Sequence, residues 1–291
     1  EWGIRLEESY FRTIADAGFD SVRIPVRWSA HAADRSPYAI DPEFFDRVDW
    51  AVEQSLRRGL TVVLNIHHFD ELYADPSGQR ERFLALWSQI AAHYRGAPPS
   101  LLFEVLNEPH DQLTHEQWNP LLADAVRVIR ESNPTRVLVV GPAGWNAYTE
   151  LEELRLPPDD GHLIATFHYY LPFQFTHQGA SWVQRDSEGW LGTRWEGTAA
   201  EKAEVSEHFR AAAAWARKND VPLYLGEFGA YEKADMASRV AWTRFVREEA
   251  LRLGMSVAYW EFAAGFGVYD RETGQWRREL LESLLPVTAT P

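Results

Sequence analysis

Hydrophobic positions along this chain alternate between a helical and an extended spacing. Where apolar residues recur every three to four positions, and a Gly or a turn follows, the spacing predicts helices. These predicted helices cover 7–17, 42–58, 81–94, 114–132, 199–219 and 235–253. Short runs rich in apolar and β-branched residues lie between them and predict buried strands. The predicted strands cover 21–26, 60–68, 101–109, 136–141, 163–170, 222–227 and 256–262.

This alternation along the whole length predicts a parallel sheet covered by helices. No linker or change of composition divides residues 1–291, so we expect one catalytic domain. A (β/α)8 TIM barrel needs one strand more than the pattern contains, and that strand should precede the helix at 7–17. We therefore predict an α/β fold, a TIM barrel whose first strand is missing from the chain. The stretch 172–198 has little periodicity, and long loops of this kind are commonly functional.

The composition excludes several classes of partner. A formal net charge of −14 disfavours nucleic acid and anionic membrane surfaces. The sequence contains no apolar run long enough to span a membrane and no signal-peptide pattern at Glu1. Because cysteine is absent, disulfides, a thiolate nucleophile and thiolate metal ligands are excluded. The 13 Trp and 11 Tyr residues suit sugar binding, although some of them are expected to fill the core.

Two of the predicted strands end in a glutamate. The segment LLFEVLNEPH, residues 101–110, places Glu108 where Pro109 interrupts the strand. The segment PLYLGEFGA, residues 222–230, places Glu227 at the end of a second strand. Carboxyl groups at the C-terminal tips of parallel strands are typical of catalytic groups, and a pair of glutamates is the apparatus of a glycoside hydrolase.

Two further glutamates lie on predicted strands, Glu104 and Glu261. Strand alternation puts Glu104 on the same side as Glu108, but about 13 Å deeper at ~3.3 Å per residue. We therefore predict that Glu104 is a buried, paired residue and takes no part in catalysis. Glu261 follows Trp260 at the last predicted strand and is a candidate for a substrate contact.

These residues carry a resemblance that covers essentially the whole chain. The chain resembles glycoside hydrolase family 5, the cellulase family of clan A, in a set of motifs that occur in the family's order. The motifs are VRIPVRW at Arg23, NIHH at His67 and His68, LNEP at Glu108, FHYY at His168 and Tyr170, GEFG at Glu227 and AYWEF at Trp260. The segment 169–182 also resembles the YYxPFxFTHQGAxW loop of bacterial and thermophilic endoglucanases that hydrolyse mannan as well.

The resemblance implies a role for each motif residue. Glu108 would be the general acid/base and Glu227 the nucleophile that forms a covalent glycosyl-enzyme, with the carboxyls about 5–5.5 Å apart. Asn107 would hold the sugar 2-hydroxyl, whereas Arg23 and Tyr170 would hydrogen-bond Glu227. The other substrate-binding residues that the resemblance implies are His67, His68, His168, His177, Trp182 and Trp260.

The function implied is a retaining endo-β-1,4-glucanase, a cellulase that cleaves internal bonds of β-1,4-linked polysaccharides. No metal, other cofactor, nucleic acid or membrane partner is implied, and we expect a secreted monomer. A β-mannanase or xyloglucanase of the same family is an alternative, as is a non-catalytic carbohydrate-binding barrel. A metal-dependent barrel hydrolase is a further alternative, because His67, His68 and Asp70 lie close together in sequence.

Overall fold

The computed structural model describes residues 3–183 and 186–285. The chain forms two compact units, one of residues 6–166 and one of residues 1–5 with 167–291. One strand has residues in both units, so this division does not by itself mark two domains. The single catalytic domain over 1–291 stays a prediction.

In residues 6–166, helices and strands alternate as predicted. The helices are α1 (Glu8–Ala17), α2 (Pro42–Leu56), α3 (Asp70–Ala74), α4 (Pro76–His93) and α5 (His115–Arg130). The strands are β1 (Ser21–Ile24), β2 (Thr61–Asn65), β3 (Leu101–Glu104), β4 (Leu138–Val140) and β5 (Leu163–Tyr169), whose last residues belong to the other unit. Successive strands pair in parallel, with Val63 opposite both Arg23 and Leu102. The C-terminal ends of β1, β2 and β3 therefore lie at one edge of the sheet.

The unit that contains residues 167–291 continues the same alternation. Its helices are α6 (Phe173–Thr176), α7 (Ala199–Lys218), α8 (Met236–Arg252) and α9 (Arg278–Leu284). Its strands are β6 (Leu223–Phe228) and β7 (Ser256–Tyr259), which pair in parallel, followed by the short antiparallel pair β8 (Tyr269–Asp270) and β9 (Gln275–Trp276).

The main sheet confirms the predicted α/β class. Its strands follow in chain order from β1 to β7, and within residues 3–183 and 186–285 it has seven strands, as counted from the sequence. The described residues ahead of α1, residues 3–7, contain no strand.

Helix α4 begins five residues before its predicted start at residue 81. Asp75 caps it by accepting a hydrogen bond from the Gly78 N–H at 3.0 Å, and Pro76 occupies the first turn. Both residues are strong helix-start signals. The apolar periodicity begins only later, which is why the predicted boundary was late.

Strand β3 is shorter than predicted. It ends at Glu104, four residues before Glu108, and Glu108 itself has φ 42°. A left-handed residue breaks the strict alternation of a strand, so the prediction that alternation reaches Glu108 was wrong. Glu108 lies on the loop that follows β3.

Buried tryptophans account for part of the aromatic excess. Trp28, Trp87, Trp118 and Trp242 are each fully buried. A buried indole N–H needs an acceptor, and here each finds a backbone carbonyl within a few residues of the end of a strand. The bonds run from Trp28 to Asn65 (3.0 Å), Trp87 to Val105 (2.9 Å), Trp118 to Gly141 (2.8 Å) and Trp242 to Leu171 (3.0 Å). These rings therefore fill the core and tie down strand ends, and they do not offer sugar-binding faces.

In the part of the chain that the structure describes, no helix combines the length and the apolar composition needed to cross a membrane. The longest helix, α7, has 20 residues and carries several charged side chains.

Candidate active site

In the unit of residues 6–166, the predicted site residues gather at the C-terminal ends of neighbouring strands. Arg23 lies on β1, His67 and His68 follow β2, and Asn107 and Glu108 follow β3. Parallel pairing brings these ends to one edge of the sheet. Motifs that follow one another along the chain therefore lie on neighbouring strands of the sheet.

Arg23 joins a buried carboxylate to the Asn107 amide. Its Nε and Nη2 donate to the two oxygens of Glu104 at 2.5 and 2.7 Å, and Nη2 also donates to Asn107 Oδ1 at 2.6 Å. Glu104 is fully buried, which confirms its predicted role as a buried, paired residue. Because Asn107 Oδ1 is an acceptor for Arg23, its amide NH₂ is the group that can donate to a hydroxyl oxygen. The predicted bond from Arg23 to Glu227 stays a prediction.

Asn65 determines which nitrogen of His67 carries the proton. Asn65 Oδ1 accepts from the Val26 N–H at 3.2 Å, so its NH₂ group faces His67 Nδ1 at 3.1 Å. Nδ1 of His67 is therefore an acceptor, and Nε2 bears the hydrogen. The buried His67 thus presents a donor of defined direction.

The alternative of a metal site at residues 67–70 gains no support from the side-chain positions. His67 and His68 stand edge to face with ring centroids 4.3 Å apart, while the exposed Asp70 accepts from Arg27 at 2.6 Å. Among the described residues, His67, His68 and Asp70 do not bring ligand atoms together in a group that could hold an ion.

Glu108 has the electrostatics expected of a proton donor. Burial raises its pKa to about 7, the largest of the effects on it. The nearby charges of Arg23, His110 and His68 lower the pKa, and Glu104 raises it. A carboxyl group with a pKa near neutrality can both give and take a proton during one reaction cycle.

In the unit that contains residues 167–291, Glu227 lies near the end of β6 and is buried. The Tyr170 hydroxyl donates to Glu227 Oε2 at 2.9 Å, which confirms the predicted hydrogen bond. His168 Nδ1 lies 3.6 Å from the same oxygen. Residues 168 and 170 are two positions apart at the end of β5, so they point to the same side. Glu227 is thereby held in one orientation by a polar group from the neighbouring strand.

His177 is more buried than a residue on an open cleft wall would be. It stacks on Phe173 at a centroid distance of 4.1 Å, and its Nδ1 lies 2.9 Å from Thr176 Oγ1. Burial lowers its pKa to about 4, so the ring is neutral at physiological pH. A sugar contact by His177 stays a prediction.

Trp182 is exposed, as its polar surroundings in the sequence predicted. Its side chain is 56% accessible, and its ring meets Tyr231 edge to face at 4.9 Å and Phe266 at 6.2 Å. An exposed indole supported by two aromatic rings offers a flat apolar face to a ligand.

Trp260 follows β7, and its backbone N–H donates to the Phe228 carbonyl at 2.9 Å. The carboxylate of the next residue, Glu261, accepts the backbone N–H groups of Ala263, Ala264 and Phe266 at 2.7, 2.8 and 3.1 Å. Glu261 was a candidate for a substrate contact. These bonds occupy its oxygens with the loop that follows Trp260, so its role is to organise that loop.

The sequence analysis missed a group of aromatic residues around Glu108. His110 stacks on Trp145 and contacts Tyr73, and Trp145 is 53% exposed. Tyr73 comes from α3 and Trp145 from the loop after β4. The closeness of His110 to Glu108 in sequence was the one available signal, because the other two residues reach the site through the fold.

The comparisons with known proteins agree with these features. A family model for Cellulase (glycosyl hydrolase family 5) matches residues 1–265. Endoglucanase H of Acetivibrio thermocellus is 38% identical over an alignment of 290 residues, and the alignment covers 97% of this chain and 31% of that protein. Structures of Thermotoga maritima Cel5A, solved with cellobiose and with mannotriose, align with a TM-score of 0.96 at 48% identity, over 98% of this chain and 92% of that one.

The chain spans 31% of Endoglucanase H and 37% of Cellulase/esterase CelE, two curated relatives from Acetivibrio thermocellus. It corresponds to nearly the full length of the Cel5A chain, and this alignment confirms the predicted (β/α)8 fold class. The family match covers most of the sequence and includes both Glu108 and Glu227. The chain therefore belongs to the cellulase family, glycosyl hydrolase family 5.

Proposed function

We propose that this chain is the catalytic domain of a retaining endo-β-1,4-glucanase that cleaves internal bonds of cellulose-type glucans. The observation that carries the proposal is the difference between the surroundings of the two glutamates. Burial raises the pKa of Glu108 to about 7, whereas Glu227 accepts a hydrogen bond from the Tyr170 hydroxyl. One carboxyl that keeps its proton and a second that is held as an acceptor suit the acid and nucleophile of a retaining glycosidase.

In the proposed reaction, Glu227 attacks the anomeric carbon while Glu108 gives its proton to the departing glycosidic oxygen. The covalent glycosyl-enzyme forms with inversion. Glu108, now a carboxylate, takes a proton from water, and that water displaces Glu227 with a second inversion. The net result is retention, for which the two carboxyls are proposed to lie about 5–5.5 Å apart. The NH₂ group of Asn107, left as a donor by Arg23, would bind the sugar 2-hydroxyl.

β-Mannan is a second candidate substrate. Thermotoga maritima Cel5A, 48% identical to this chain, has been crystallised with mannotriose as well as with cellobiose. Glucan and mannan differ in the configuration at C2, and a contact difference of that size changes relative rates by one or two orders of magnitude at most. We therefore propose activity on both polymers, with glucan preferred.

We also propose that the domain acts outside the cell and as a monomer. A polysaccharide chain of many sugars cannot cross a membrane, so an enzyme that cuts it internally must meet it in the medium. Size-exclusion chromatography with light scattering tests the monomer against the 33.4 kDa calculated for the chain.

Hydrolysis of a substrate panel tests the proposed activity. Carboxymethyl cellulose, barley glucan, glucomannan and xylan are compared by reducing ends and by viscosity. We expect cleavage of the first three with an early loss of viscosity, which marks internal cutting, and little cleavage of xylan. Binding of these polymers without any release of reducing ends would instead favour a carbohydrate-binding module.

Rescue by azide tests the roles of the glutamates. Glu227→Ala should lose nearly all hydrolysis and, with azide, give a glycosyl azide of inverted configuration, because azide attacks in place of the nucleophile. Glu108→Ala should act only on substrates with good leaving groups and give the retained azide. Products of the same configuration from both variants would contradict the assignment.

A further inference from the structure

The backbone around Glu108 is held by three separate groups. The Tyr73 hydroxyl donates to the Asn107 backbone carbonyl at 2.6 Å, and the backbone N–H of Trp145 donates to the Pro109 carbonyl at 3.2 Å. Between them, His110 Nδ1 lies 2.5 Å from the Glu108 carbonyl. Three successive carbonyls are thus each engaged by a different residue.

The conformation that these bonds hold is a costly one. Glu108 has φ 42°, and a residue with a Cβ in the left-handed region is disfavoured relative to its ordinary conformations. Such a conformation persists only where the surrounding structure determines it, and it occurs often at catalytic sites. Since φ and ψ fix the direction of the Cα–Cβ bond and limit the allowed rotamers, the same contacts restrict where the Glu108 carboxyl points.

His110 occupies the centre of this arrangement. Its ring lies against Trp145, at a centroid distance of 4.7 Å and an angle of 15°, and against Tyr73 at 4.1 Å. A carbonyl oxygen can only accept, so Nδ1 of His110 must carry a hydrogen. The ring is thus held by aromatic contacts, and its N–H is directed at the Glu108 backbone.

Tyr73 supports the same arrangement from α3. Its side chain is buried, and burial raises the pKa of its hydroxyl, so the group remains a donor to the Asn107 carbonyl at any working pH. Trp145 is 53% exposed, yet its backbone and one ring face are engaged. The three residues therefore connect α3, the loop after β3 and the loop after β4.

We propose that His110, held between Tyr73 and Trp145, is a positioning residue that aims the Glu108 carboxyl at the leaving-group oxygen. This inference rests on the proposed function, in which Glu108 is the general acid. His110 acts through the Glu108 backbone and takes no proton from the substrate. Loss of its N–H lets the Glu108 backbone turn, and a general acid displaced by about 1 Å loses up to ~100-fold in rate.

The test separates the hydrogen bond from the ring contacts. His110→Phe keeps a ring between Tyr73 and Trp145 but removes the donor. His110→Asn removes the ring but places an amide NH₂ close to the position of Nδ1. Each variant is assayed on cellotetraose, whose leaving group needs a proton, and on 2,4-dinitrophenyl β-cellobioside, whose leaving group does not.

We expect His110→Phe to lower kcat/KM on cellotetraose by about 10- to 100-fold, a partial loss of the roughly 100- to 10,000-fold that general acid catalysis contributes. On the dinitrophenyl substrate kcat/KM should stay within about threefold, because kcat/KM reports the first step and departure of this leaving group does not depend on Glu108. His110→Asn should recover most of the activity on cellotetraose. The control is His115→Phe, since His115 is a half-buried histidine that pairs with Glu150 in the 3-10 helix Tyr148–Glu153, and it should leave both rates unchanged.

Equal losses on the two substrates would show a general structural role and overturn the inference, as would no loss on either. If His110→Phe does not fold, Tyr73→Phe removes a donor from the adjacent carbonyl and must show the same dependence on the leaving group. A wild-type protein that cleaves neither substrate would refute the proposed function itself, and that result is distinguishable from a wild type that cleaves both.

Discussion

At the scale of single residues, the buried ion pair of Arg23 and Glu104 orients the side-chain amide of Asn107. Glu104 and Arg23 have side chains that are 1% and 4% accessible, so each depends on the other for its hydrogen bonds. Removing one partner would leave an unpaired buried charge, which costs roughly 3–5 kcal/mol. The pair also holds Asn107 Oδ1, which determines which end of the amide faces outward. Glu104, four positions before the proposed general acid Glu108, therefore contributes to the candidate site through its partner Arg23.

The pKa of Glu108 predicts a pH dependence of activity. Glu108 must be protonated to act as an acid, and burial raises its pKa from 4.5 to about 7. We therefore expect kcat/KM to fall as the pH rises through about 7, and a pH–rate profile measures this. A profile that stays flat between pH 6 and 9 would contradict the assignment.

The same shift affects stability, with a definite sign. Because the folded pKa is above the unfolded one, the protonated carboxyl stabilises the fold fully below pH 4.5, and this contribution is lost as the pH rises to about 7. Glu108→Gln stays neutral at every pH. Its Tm should exceed that of the wild type most above pH 7 and least below pH 4.5, which melting curves at pH 4 and pH 8 compare.

Two adjacent tyrosines offer a matched test at Glu227. Tyr170→Phe removes the hydroxyl that donates to Glu227, and a hydrogen bond to a charged group contributes roughly 1.5–3 kcal/mol. We expect kcat to fall about 10- to 100-fold with little change in Tm. Tyr169→Phe is the control, because the Tyr169 hydroxyl contacts His208 on the other side of the strand. Equal kinetic losses in the two variants would argue against a specific role for Tyr170.

At the scale of elements, the strands supply fixed ends and the loops supply the variable surface. Buried tryptophans from α4, α5 and α8 donate to carbonyls close to the ends of β3, β4 and β5. The long loop after β5 differs, since it presents Trp182 and Leu191 to solvent at 56% and 49% exposure. Rigid strand ends can hold catalytic side chains in fixed positions, whereas an exposed aromatic loop can bind a polymer.

Trp182→Ala tests the role of this loop. An exposed indole that stacks on a sugar binds ground state and transition state alike, so the variant should raise KM on polymer several-fold with less effect on kcat. Leu191→Ala, an exposed apolar residue of the same loop without a ring, should change neither. If Trp182→Ala instead loses roughly 3–5 kcal/mol of unfolding free energy, Trp182 is a core residue and the binding role fails.

At the scale of the whole molecule, the acidic surface and the proposed mechanism agree. A net charge of −14 does not oppose a neutral polysaccharide, and two carboxyl groups suffice for both steps of the proposed reaction. The histidines near β2 and β5 have protein partners, Asn65 for His67 and Glu227 for His168. His67 is thus hydrogen-bonded within the protein, and His168 Nδ1 lies 3.6 Å from a Glu227 oxygen.

We therefore expect full activity in an excess of chelator. The assay compares hydrolysis of barley glucan before and after dialysis against EDTA, with and without added divalent ions. A loss that a divalent ion restores would make His67, His68 and Asp70 candidate ligands and would contradict the two-carboxylate mechanism.

Much of the fold was accessible from local pattern. The switch from a period of 3.6 to short apolar runs placed the helices and strands, and both catalytic candidates were found because each ends a predicted strand. The predicted start of α4 was wrong because Asp75 caps the helix earlier, and the predicted end of β3 was wrong near the left-handed Glu108. Such signals involve one residue each and leave no trace in a periodicity.

The sequence by itself determined the strand and helix order, the family and the pair of glutamates, because each of these is encoded over a few neighbouring residues. The tertiary structure determined which residues hydrogen-bond to one another. Arg23 and Glu104 are 81 residues apart, and Tyr73 and Asn107 are 34 apart. The raised pKa of Glu108 results mainly from burial, which a linear pattern does not report. Hydrogen bonds and burial depend on which strand tips and loops the fold brings together, and so the positioning role proposed for His110 became visible only in three dimensions.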